Sequence, residues 1–236
     1  KVVCMDGELL NIGSHALDSA GYDLLALMTG SEGLLGVIVE VTVRLLPVPE
    51  TAQVLLAAFD SVESAGHAVA GIISAGILPA GLEMMDSLAI RAAEDFVHAG
   101  YPHDAAAILL CELDGTRAEV ETRISEVQEL LTDMGARDVR LAHDDQERQK
   151  FWAGRKAAFP AVGRISPDYY CMDGTIPRKH LGKVLATISQ WSSEYNLPVA
   201  NVFHAGDGNL HPLILYDANK PGELERTEEF GGRILE

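Results

Sequence analysis

The sequence predicts a layered α+β fold in which helices cover one face of a sheet. Three observations lead to this prediction. Residues 37–46 alternate between apolar and polar side chains with a period of two, which is typical of a strand. Residues 105–113 form a short apolar run, and residues 116–134 place their apolar side chains on one helical stripe. Because strand and helix patterns follow one another through most of the chain, we expect a sheet with helices packed against it.

The strand at residues 37–46 carries β-branched side chains at alternate positions. Its apolar face consists of Val37, Val39, Val41, Val43 and Leu45. We therefore expect this strand to be half-buried. Pro47 and Pro49 end it, and we place a domain boundary there, which predicts one domain at residues 1–49 and another at residues 50–236.

Strand and helix patterns continue after this boundary. The predicted strands are residues 53–59, 105–113, 138–143, 168–173, 199–204 and 210–216. The predicted helices are residues 61–75, 116–134, 145–160 and 178–195. In the helix at 116–134 we expect the inward face to consist of Val120, Ile124, Val127, Leu131 and Met134.

The composition argues against a role in binding nucleic acid or in spanning a membrane. The net charge of −17 repels phosphate backbones, and no apolar run is long enough for a spanning helix. The cysteines at positions 4, 111 and 171 form no CxxC pair, which indicates a reducing compartment. Because the chain starts at Lys1 and its last residues have a helical pattern, we expect an internal piece of a longer protein.

Residues 29–36, Thr-Gly-Ser-Glu-Gly-Leu-Leu-Gly, form a glycine-rich loop that leads directly into the first strand. The pattern is neither a GxGxxG motif nor a P-loop, because no helix and no lysine follow it. Small residues let backbone N–H groups come close to a flat or phosphorylated ligand, and Ser31 can donate a hydrogen bond to it. A turn that needs glycines for its own backbone explains the pattern equally well.

Two histidines flank a predicted turn at residues 202–212. Asp207-Gly208 is a favoured pair for a two-residue type I′ turn, and that register pairs His204 directly with His211. Their Cβ atoms would then lie about 4.5–5.5 Å apart, close enough for both rings to bind one metal ion. Two ligands are too few for a metal site and spacing suggests no third one, so a pair of polar surface histidines is the alternative.

Residues 30–40, from Gly30 to Glu40, resemble the last part of the flavin-binding domain of vanillyl-alcohol-oxidase-type flavoproteins, a PCMH-type FAD-binding domain. The resemblance implies FAD as the cofactor. It also implies that the cofactor is bordered by Gly30, Ser31, Glu32, Gly33, Gly36 and Ile38. In that family the main pyrophosphate-binding loop lies upstream of this segment, so we expect FAD binding to need more than these 236 residues.

Residues 204–211, His-Ala-Gly-Asp-Gly-Asn-Leu-His, resemble the signature of the FAD-linked oxidase C-terminal domain, as do residues 82–86, 151–160 and 168–177. The resemblance implies a ferredoxin-like substrate domain after the end of the FAD-binding domain. It implies that His204 and His211 ligate a divalent metal, and zinc, iron and manganese stay open. The family's third ligand, a Glu, and its proposed general base come from a downstream Gly-Glu-His-Gly motif, which these residues do not include.

Arg155 is the predicted partner of a substrate carboxylate, because arginine binds carboxylates in a bidentate manner and Trp152–Arg155 matches the family pattern Trp-x-x-Arg. From the residues alone, an Arg on the surface of a polar helix is the simpler interpretation. The family implies oxidation of a small 2-hydroxy acid, glycolate to glyoxylate. A D-lactate dehydrogenase and a non-catalytic flavin subunit are the alternatives. Some relatives carry a Lys where Cys171 aligns, which favours a smaller acid over a diacid; Cys171 itself is expected to be a buried small side chain.

The resemblance to the glycolate-oxidising members of the family also implies protein partners. These are a related flavin subunit and an iron–sulfur subunit near the inner membrane. We therefore expect a cytoplasmic protein that is peripheral to the inner membrane through its partner subunits.

Overall fold

The computed structural model describes residues 1–14, 16 and 21–236 and places them in two compact units, Lys1–Val48 and Pro49–Glu236. In the first unit, three antiparallel strands form a small sheet in the order β2-β1-β3. Its elements in chain order are β1 (Val2–Val3), β2 (Leu9–Leu10), α1 (Leu24–Met28) and β3 (Val37–Ile38). Asp23 caps α1 by accepting a hydrogen bond from the backbone of Ala26.

The predicted half-buried strand at 37–46 is wrong beyond its first residues, because β3 ends at Ile38. After it, the backbones of Val39 and Glu40 both donate to the carbonyl of Lys1. A strand needs a neighbour for its ladder, and among the described residues none pairs with the segment after Glu40. The side chains of the alternating valines are consequently exposed to solvent, and those of Val41 and Val43 are each 67% exposed.

The second unit contains all the elements after Val48. In chain order they are β4 (Thr51–Phe59), α2 (Val62–Ser74), β5 (Gly81–Asp86), α3 (Ser87–Val97), β6 (Ala107–Gly115), α4 (Arg117–Asp133), β7 (Asp138–Leu141), α5 (Asp145–Val162), β8 (Asp168–Cys171), β9 (Gly174–Thr175), a 3-10 turn (Arg178–His180), α6 (Leu181–Tyr195), β10 (Val199–His204), β11 (Asn209–Tyr216) and α7 (Glu223–Leu235). Within the described residues, no helix has the length and apolar character needed to cross a bilayer.

The strands of this unit form one antiparallel sheet in the order β7-β4-β6-β5-β10-β11-β8, with β9 also paired to β11. The first part, β4-α2-β5-β6-α4-β7, is a βαββαβ unit whose strands lie in the order 4-1-3-2, which is the predicted ferredoxin-like arrangement. Helix α3 is inserted between its second and third strands. The α+β prediction is therefore confirmed, and β10 and β11 extend the sheet beyond the ferredoxin-like part.

Helices pack on both faces of this sheet, so the prediction of a single covered face is wrong. Helices α2, α4 and α6 share a core with one face, and α3 and α5 share a core with the other. The reason lies in strands such as β4, in which every side chain from Val54 to Phe59 is buried. A strand that is apolar on both sides needs cover on both sides, and α3, which the sequence did not predict, supplies half of the second layer.

Helix α4 agrees with its prediction except at its end. Val120, Ile124, Val127 and Leu131 are buried, and Thr116 with Glu119 forms a capping box at the N-terminus. Met134, predicted to face inward, is 41% exposed because it is the C-cap residue and the helix ends there.

Candidate active site

Strands β10 and β11 form a hairpin whose register differs from the predicted one. His204 pairs with Asn209, and Val202 pairs with His211, so residues 205–208 form a four-residue loop. A type I′ turn needs positive φ at both central residues, but of the two only Gly208 has it, at 82°. The pairing of His204 with His211 is therefore a wrong prediction.

The two histidines nevertheless lie together. The true register is displaced by two residues, and side chains alternate between faces with a period of two. His204 and His211 therefore stay on the same face, as diagonal neighbours across the two strands. Their ring centroids are 5.3 Å apart, with the ring planes at 88°.

Glu83 of strand β5 lies directly opposite His204 in the sheet and joins it to Arg155. One carboxylate oxygen, Oε1, is 2.9 Å from Nδ1 of His204. The other, Oε2, accepts a hydrogen bond of 2.9 Å from Nε of Arg155 and lies 2.9 Å from Nη2 in an ion pair. The glutamate and arginine side chains are both 11% exposed, whereas that of His204 is 49% exposed. A buried ion pair thus lies behind an accessible imidazole.

Arg155 reaches this position from helix α5, where the sequence predicted a helix. Asp144 caps the helix by accepting from the backbone of Glu147, and Phe151 and Ala158, one turn on either side of Arg155, are buried in the core. The buried side chain rules out the interpretation of Arg155 as an exposed residue of a polar helix.

His211 has a more enclosed setting than His204. Its side chain is 17% exposed, and Nδ1 is 3.9 Å from Oδ1 of Asp173. The same carboxylate oxygen accepts a hydrogen bond of 2.7 Å from Nδ2 of Asn209. The ring of Phe159 lies edge-on to His211, with centroids 6.4 Å apart. One apolar and one acidic neighbour therefore border the second imidazole.

Cys171 is exposed, contrary to the prediction of a buried residue. It ends strand β8, which lies at the edge of the sheet and pairs only with β11 among the described strands. Partial desolvation and the nearby Asp173 carboxylate raise the pKa of its thiol. Cys171 is therefore protonated at neutral pH, which makes it a weak nucleophile.

The sequence did not single out Glu83 as a site residue. The available signal was its charge within strand β5, whose other central residues, Leu82, Met84 and Met85, are apolar and buried. A carboxylate rarely occupies such a position without a partner. Naming the partners required the pairing of β5 with β10, which brings together residues 121 positions apart.

The histidine pair fits a metal ion as two of its ligands. Since Nδ1 of His204 faces a carboxylate, Nε2 is the nitrogen left for a ligand, as in many metal sites where a carboxylate orients the histidine from behind. Among residues 1–14, 16 and 21–236, no group of three or more His, Cys, Asp or Glu side chains is arranged to hold a metal. Within this described part, the candidate donors are thus the two imidazoles.

The glycine-rich loop of the first unit has an unusual backbone. Gly30, Gly33 and Gly36 have positive φ, and so does Glu32, at 50°. A Cβ atom at Gly30 or Gly33 would meet no atom within 4 Å, whereas one at Gly36 would clash with Val2 and Val3. Ile38 lines a cleft of about 430 Å³ in this unit together with Val2, Leu25, Met28 and Thr29. Gly30, Ser31, Glu32, Gly33 and Gly36 lie outside the lining of that cleft.

Comparison with known proteins gives a consistent result. Residues 48–236 match the family described as FAD linked oxidases, C-terminal domain. The chain is 67% identical over 236 residues to the glycolate oxidase subunit GlcD of Escherichia coli (strain K12), covering 100% of this chain and 47% of that protein. It is 31% identical over 240 residues to a probable mitochondrial D-lactate dehydrogenase of Danio rerio, covering 99% of this chain and 48% of that protein. The chain spans about half the length of the curated relatives it matches.

A solved structure supports the fold. The 4-ethylphenol oxidase from Gulosibacter chungangensis, in its isoeugenol complex, superimposes with a TM-score of 0.71 at 15% sequence identity. The match covers 99% of this chain and 54% of that one. At this identity the likeness concerns the fold alone.

Proposed function

This chain belongs to the family of FAD-linked oxidases that share the C-terminal domain, and on that premise we propose that it is part of a FAD-dependent dehydrogenase that converts glycolate to glyoxylate. The observation that carries the proposal is the arrangement of Arg155 and the two histidines around Glu83 on one face of the sheet. A 2-hydroxy acid has a carboxylate and a hydroxyl group on adjacent carbons. The site offers a cation for the first and a pair of imidazoles for the second.

Arg155 binds the substrate carboxylate in this proposal. Glu83 contacts the Nε and Nη2 atoms of Arg155. The carboxylate of the substrate is therefore bound on the side of Nη1, for which no hydrogen bond is present among the described residues. Arginine suits this role because its planar guanidinium has donors on more than one edge. Holding the carboxylate fixes the direction of the substrate's α C–H bond.

His204 and His211 would hold a divalent metal, with zinc, iron and manganese as candidates. When bound, the metal would act as a Lewis acid that lowers the pKa of the substrate hydroxyl group. His204 is supported by Glu83 at Nδ1, and His211 is shielded by Phe159. The further metal ligand and the general base are proposed to come from outside these 236 residues.

The FAD is proposed to be bordered by Gly30, Ser31, Glu32, Gly33, Gly36 and Ile38 of the first unit, where residues 1–49 are the C-terminal part of a PCMH-type FAD-binding domain. When bound, FAD would supply the redox chemistry as the acceptor of the hydride from the substrate α-carbon. The open Cβ sides of Gly30 and Gly33 support this placement, because they let a ligand approach the backbone closely. Residues 50–236 are proposed as the substrate domain.

D-Lactate is the second candidate substrate, since a probable D-lactate dehydrogenase is among the relatives. The two acids differ by one methyl group, so both suit the same carboxylate and hydroxyl contacts. The name of the Escherichia coli relative describes it as a subunit. We accordingly propose that this protein assembles with a related flavin subunit and an iron–sulfur subunit, in the cytoplasm at the inner membrane.

An anaerobic titration of the flavin tests the proposed function. The complete reading frame that contains this chain is expressed, and the flavin absorbance is followed as glycolate and then D-lactate are added. We expect bleaching by glycolate, faster than by D-lactate; faster bleaching by D-lactate would reassign the substrate. A bound flavin that neither acid bleaches would favour a non-catalytic subunit, and a protein without flavin would contradict the cofactor assignment.

Replacing His204 with Ala tests the part assigned to the histidines. We expect bleaching by glycolate to be abolished in this variant while the flavin stays bound. His67→Ala is the control, because His67 lies on helix α2, which packs against the opposite face of the sheet. Unchanged bleaching in His204→Ala would contradict the proposed metal site.

A further inference from the structure

We propose that Glu83 is a positioning residue that fixes the distance between the carboxylate-binding arginine and the metal-binding imidazole. This inference rests on the proposed function, because it assigns a role to Glu83 within the same site. Nothing in the comparisons singles out this residue. Three features of the structure support it: its two contacts, its burial and its place in the sheet.

The two oxygens of Glu83 have separate partners. Oε1 lies 2.9 Å from Nδ1 of His204, and Oε2 lies 2.9 Å from Nε and from Nη2 of Arg155. Arg155 belongs to helix α5 and His204 to the end of strand β10, so these groups come from different layers of the fold. One rigid carboxylate group therefore spans the distance from the helix to the strand.

Packing alone does not explain a glutamate at this position. The side chain is 11% exposed and lies in a strand of buried apolar residues, where a buried ion pair contributes little net stability compared with apolar side chains of similar volume. Apolar side chains at both positions 83 and 155 would fill the same space without a buried charge. The charged pair is therefore explained by a need to hold its partners in defined positions.

Glu83 also determines which nitrogen of His204 faces the site. A carboxylate only accepts hydrogen bonds, so Nδ1 of His204 carries the proton that points to Glu83. In the neutral imidazole, Nε2 is then the nitrogen whose lone pair can bind a metal. The side chain is 49% exposed, so this nitrogen is accessible from solvent.

The fixed spacing matches the geometry of the proposed substrate. In a 2-hydroxy acid the carboxylate and the hydroxyl group are on neighbouring carbons, so the groups that bind them must keep a constant separation. Small displacements of such groups lower rates strongly, because the reacting bond then points in the wrong direction. Glu83 prevents such a displacement by holding both binding groups at once.

Glu83→Gln is the first variant to test, in the complete protein. The amide has nearly the same shape, and its oxygen can still accept from Arg155. Its NH2 group would then face Nδ1 of His204 and favour the tautomer that has the proton on Nε2. We expect kcat/KM for glycolate to fall about 10- to 100-fold, and the affinity of the metal-free protein for Zn²⁺ or Mn²⁺ alone to fall over a similar range.

Glu112→Gln is the matched control. Glu112 lies in the neighbouring strand β6, and its carboxylate accepts hydrogen bonds from Trp152 at 2.6 Å and from Arg148 at 3.3 Å, both on helix α5. This variant removes the same charge beside the same helix without touching Arg155 or His204. We expect its kcat/KM and its metal affinity to stay within about twofold of those of the unmodified protein, as is usual for a change remote from the reacting groups.

The possible results separate this inference from the proposed function. If the unmodified protein oxidises neither acid, the proposed function fails. Suppose instead that the unmodified protein oxidises one of the acids. The role of Glu83 is then refuted if Glu83→Gln keeps the metal affinity and kcat/KM of the unmodified protein, or if its losses in both are no greater than those of Glu112→Gln. Should Glu83→Gln fail to fold, Glu83→Asp decides the question. Its carboxylate is one methylene shorter and cannot reach both partners, so unchanged kinetics and metal affinity there would also refute it.

Discussion

Arg155 and Glu83 hold opposite charges in a setting that water hardly reaches, since each side chain is 11% exposed. In such a pair, the loss of one partner leaves the other charge buried and uncompensated. Removing one partner of this pair should therefore lower the free energy of unfolding more than breaking an ion pair at the surface does. The chain offers both kinds for comparison, because Arg123 forms a pair with Glu126 in which the side chains are 51% and 46% exposed.

Arg155→Met should lower the free energy of unfolding by about 3–5 kcal/mol, measured by urea denaturation. The double variant Arg155→Met, Glu83→Met should regain most of this loss, because it removes the uncompensated carboxylate as well. Arg123→Met is the control and should cost about 0–1 kcal/mol. A double variant that is no more stable than Arg155→Met would contradict the assignment of a buried charge pair.

Asp86 is a second partly buried carboxylate, and its effect on stability should depend on pH. Desolvation raises its pKa to about 6, against hydrogen bonds from Leu88, Ala89 and Asn201 that lower it. Because the folded-state pKa lies above the unfolded value of 3.8, the folded state binds the proton more tightly. The contribution of Asp86 to stability is thus largest below pH 4 and is lost as the pH rises through about 6.

Asp86→Asn should therefore change the melting temperature by an amount that varies with pH. Loss of the carboxylate acceptor lowers the melting temperature of the variant. The variant also lacks the carboxyl group whose ionisation destabilises the unmodified protein as the pH rises from about 4 through about 6. In a series of thermal melts over this pH range, we expect the melting temperature of the variant to rise relative to that of the unmodified protein. A difference that is constant with pH would refute the raised pKa.

At the level of the elements, the loop at residues 205–208 is the tightest connection in the site. Gly206 donates to the carbonyl of Leu82 and accepts from Arg178, and the carbonyl of Gly208 accepts from the backbone of Ile176. Gly208 has a φ of 82°, and a Cβ atom there would lie 2.2 Å from the carbonyl oxygen of Ile176. The loop tolerates no side chain at this point.

Gly208→Ala should lower the free energy of unfolding by more than the 1–3 kcal/mol or so that positive φ alone costs, and should impair turnover by displacing both histidines. Gly222→Ala separates the two effects, because Gly222 has a φ of 79° and a Cβ atom added there would meet no other atom within 4 Å. Gly222→Ala should therefore lose only the stability that positive φ costs a residue with a side chain, and its turnover should be normal. Equal losses of stability in the two variants, measured by thermal unfolding, would show that the contact with Ile176 is unimportant.

The hairpin shows what the sequence determines about an element and what it leaves open. The period of two placed His204 and His211 on one face correctly, because a displacement by two residues keeps the face unchanged. The turn type was wrong, since it depends on the φ of Asp207 and on the contacts of Gly206 and Gly208 with Leu82 and Ile176. Those contacts come from distant parts of the chain, which local pattern does not predict.

For the molecule as a whole, the two units differ in how much core they contain. The described part of Lys1–Val48 has strands of two residues each, and Leu34, Leu45 and Leu46 are at least 80% exposed. The unit Pro49–Glu236 contains its own core on both faces of the sheet. Burial of apolar surface is the main term that stabilises a fold, so the two should behave differently in isolation.

Residues 49–236, produced alone, should unfold in one cooperative thermal transition and should resist mild proteolysis. Residues 1–48 alone should show no cooperative transition and should be cleaved rapidly. Circular dichroism during heating and a protease time course measure both properties. A broad, non-cooperative transition for 49–236 would contradict the division of the chain into these units.

At this scale, the sequence predicted which elements exist better than how they are arranged. Most strands and helices were evident from periodicity, whereas β5 and α3 were missed although α3 is amphipathic, with Ala89, Ile90, Ala92 and Ala93 on its buried face. The strand order depends on pairing between remote segments. The role of Glu83 depends on that order, so the histidines and Arg155 were predictable as candidates while their connection through Glu83 was not.

The anchoring of the loop at residues 205–208 has a practical consequence for protein engineering. Its backbone is fixed to Leu82, Ile176 and Arg178 at the same time, so an inserted residue would have to break several of these bonds. Libraries that aim to change the range of accepted acids should leave this loop at its present length. Strand β8, which pairs with β11 alone among the described strands and carries the exposed Cys171, is the better place for such variation.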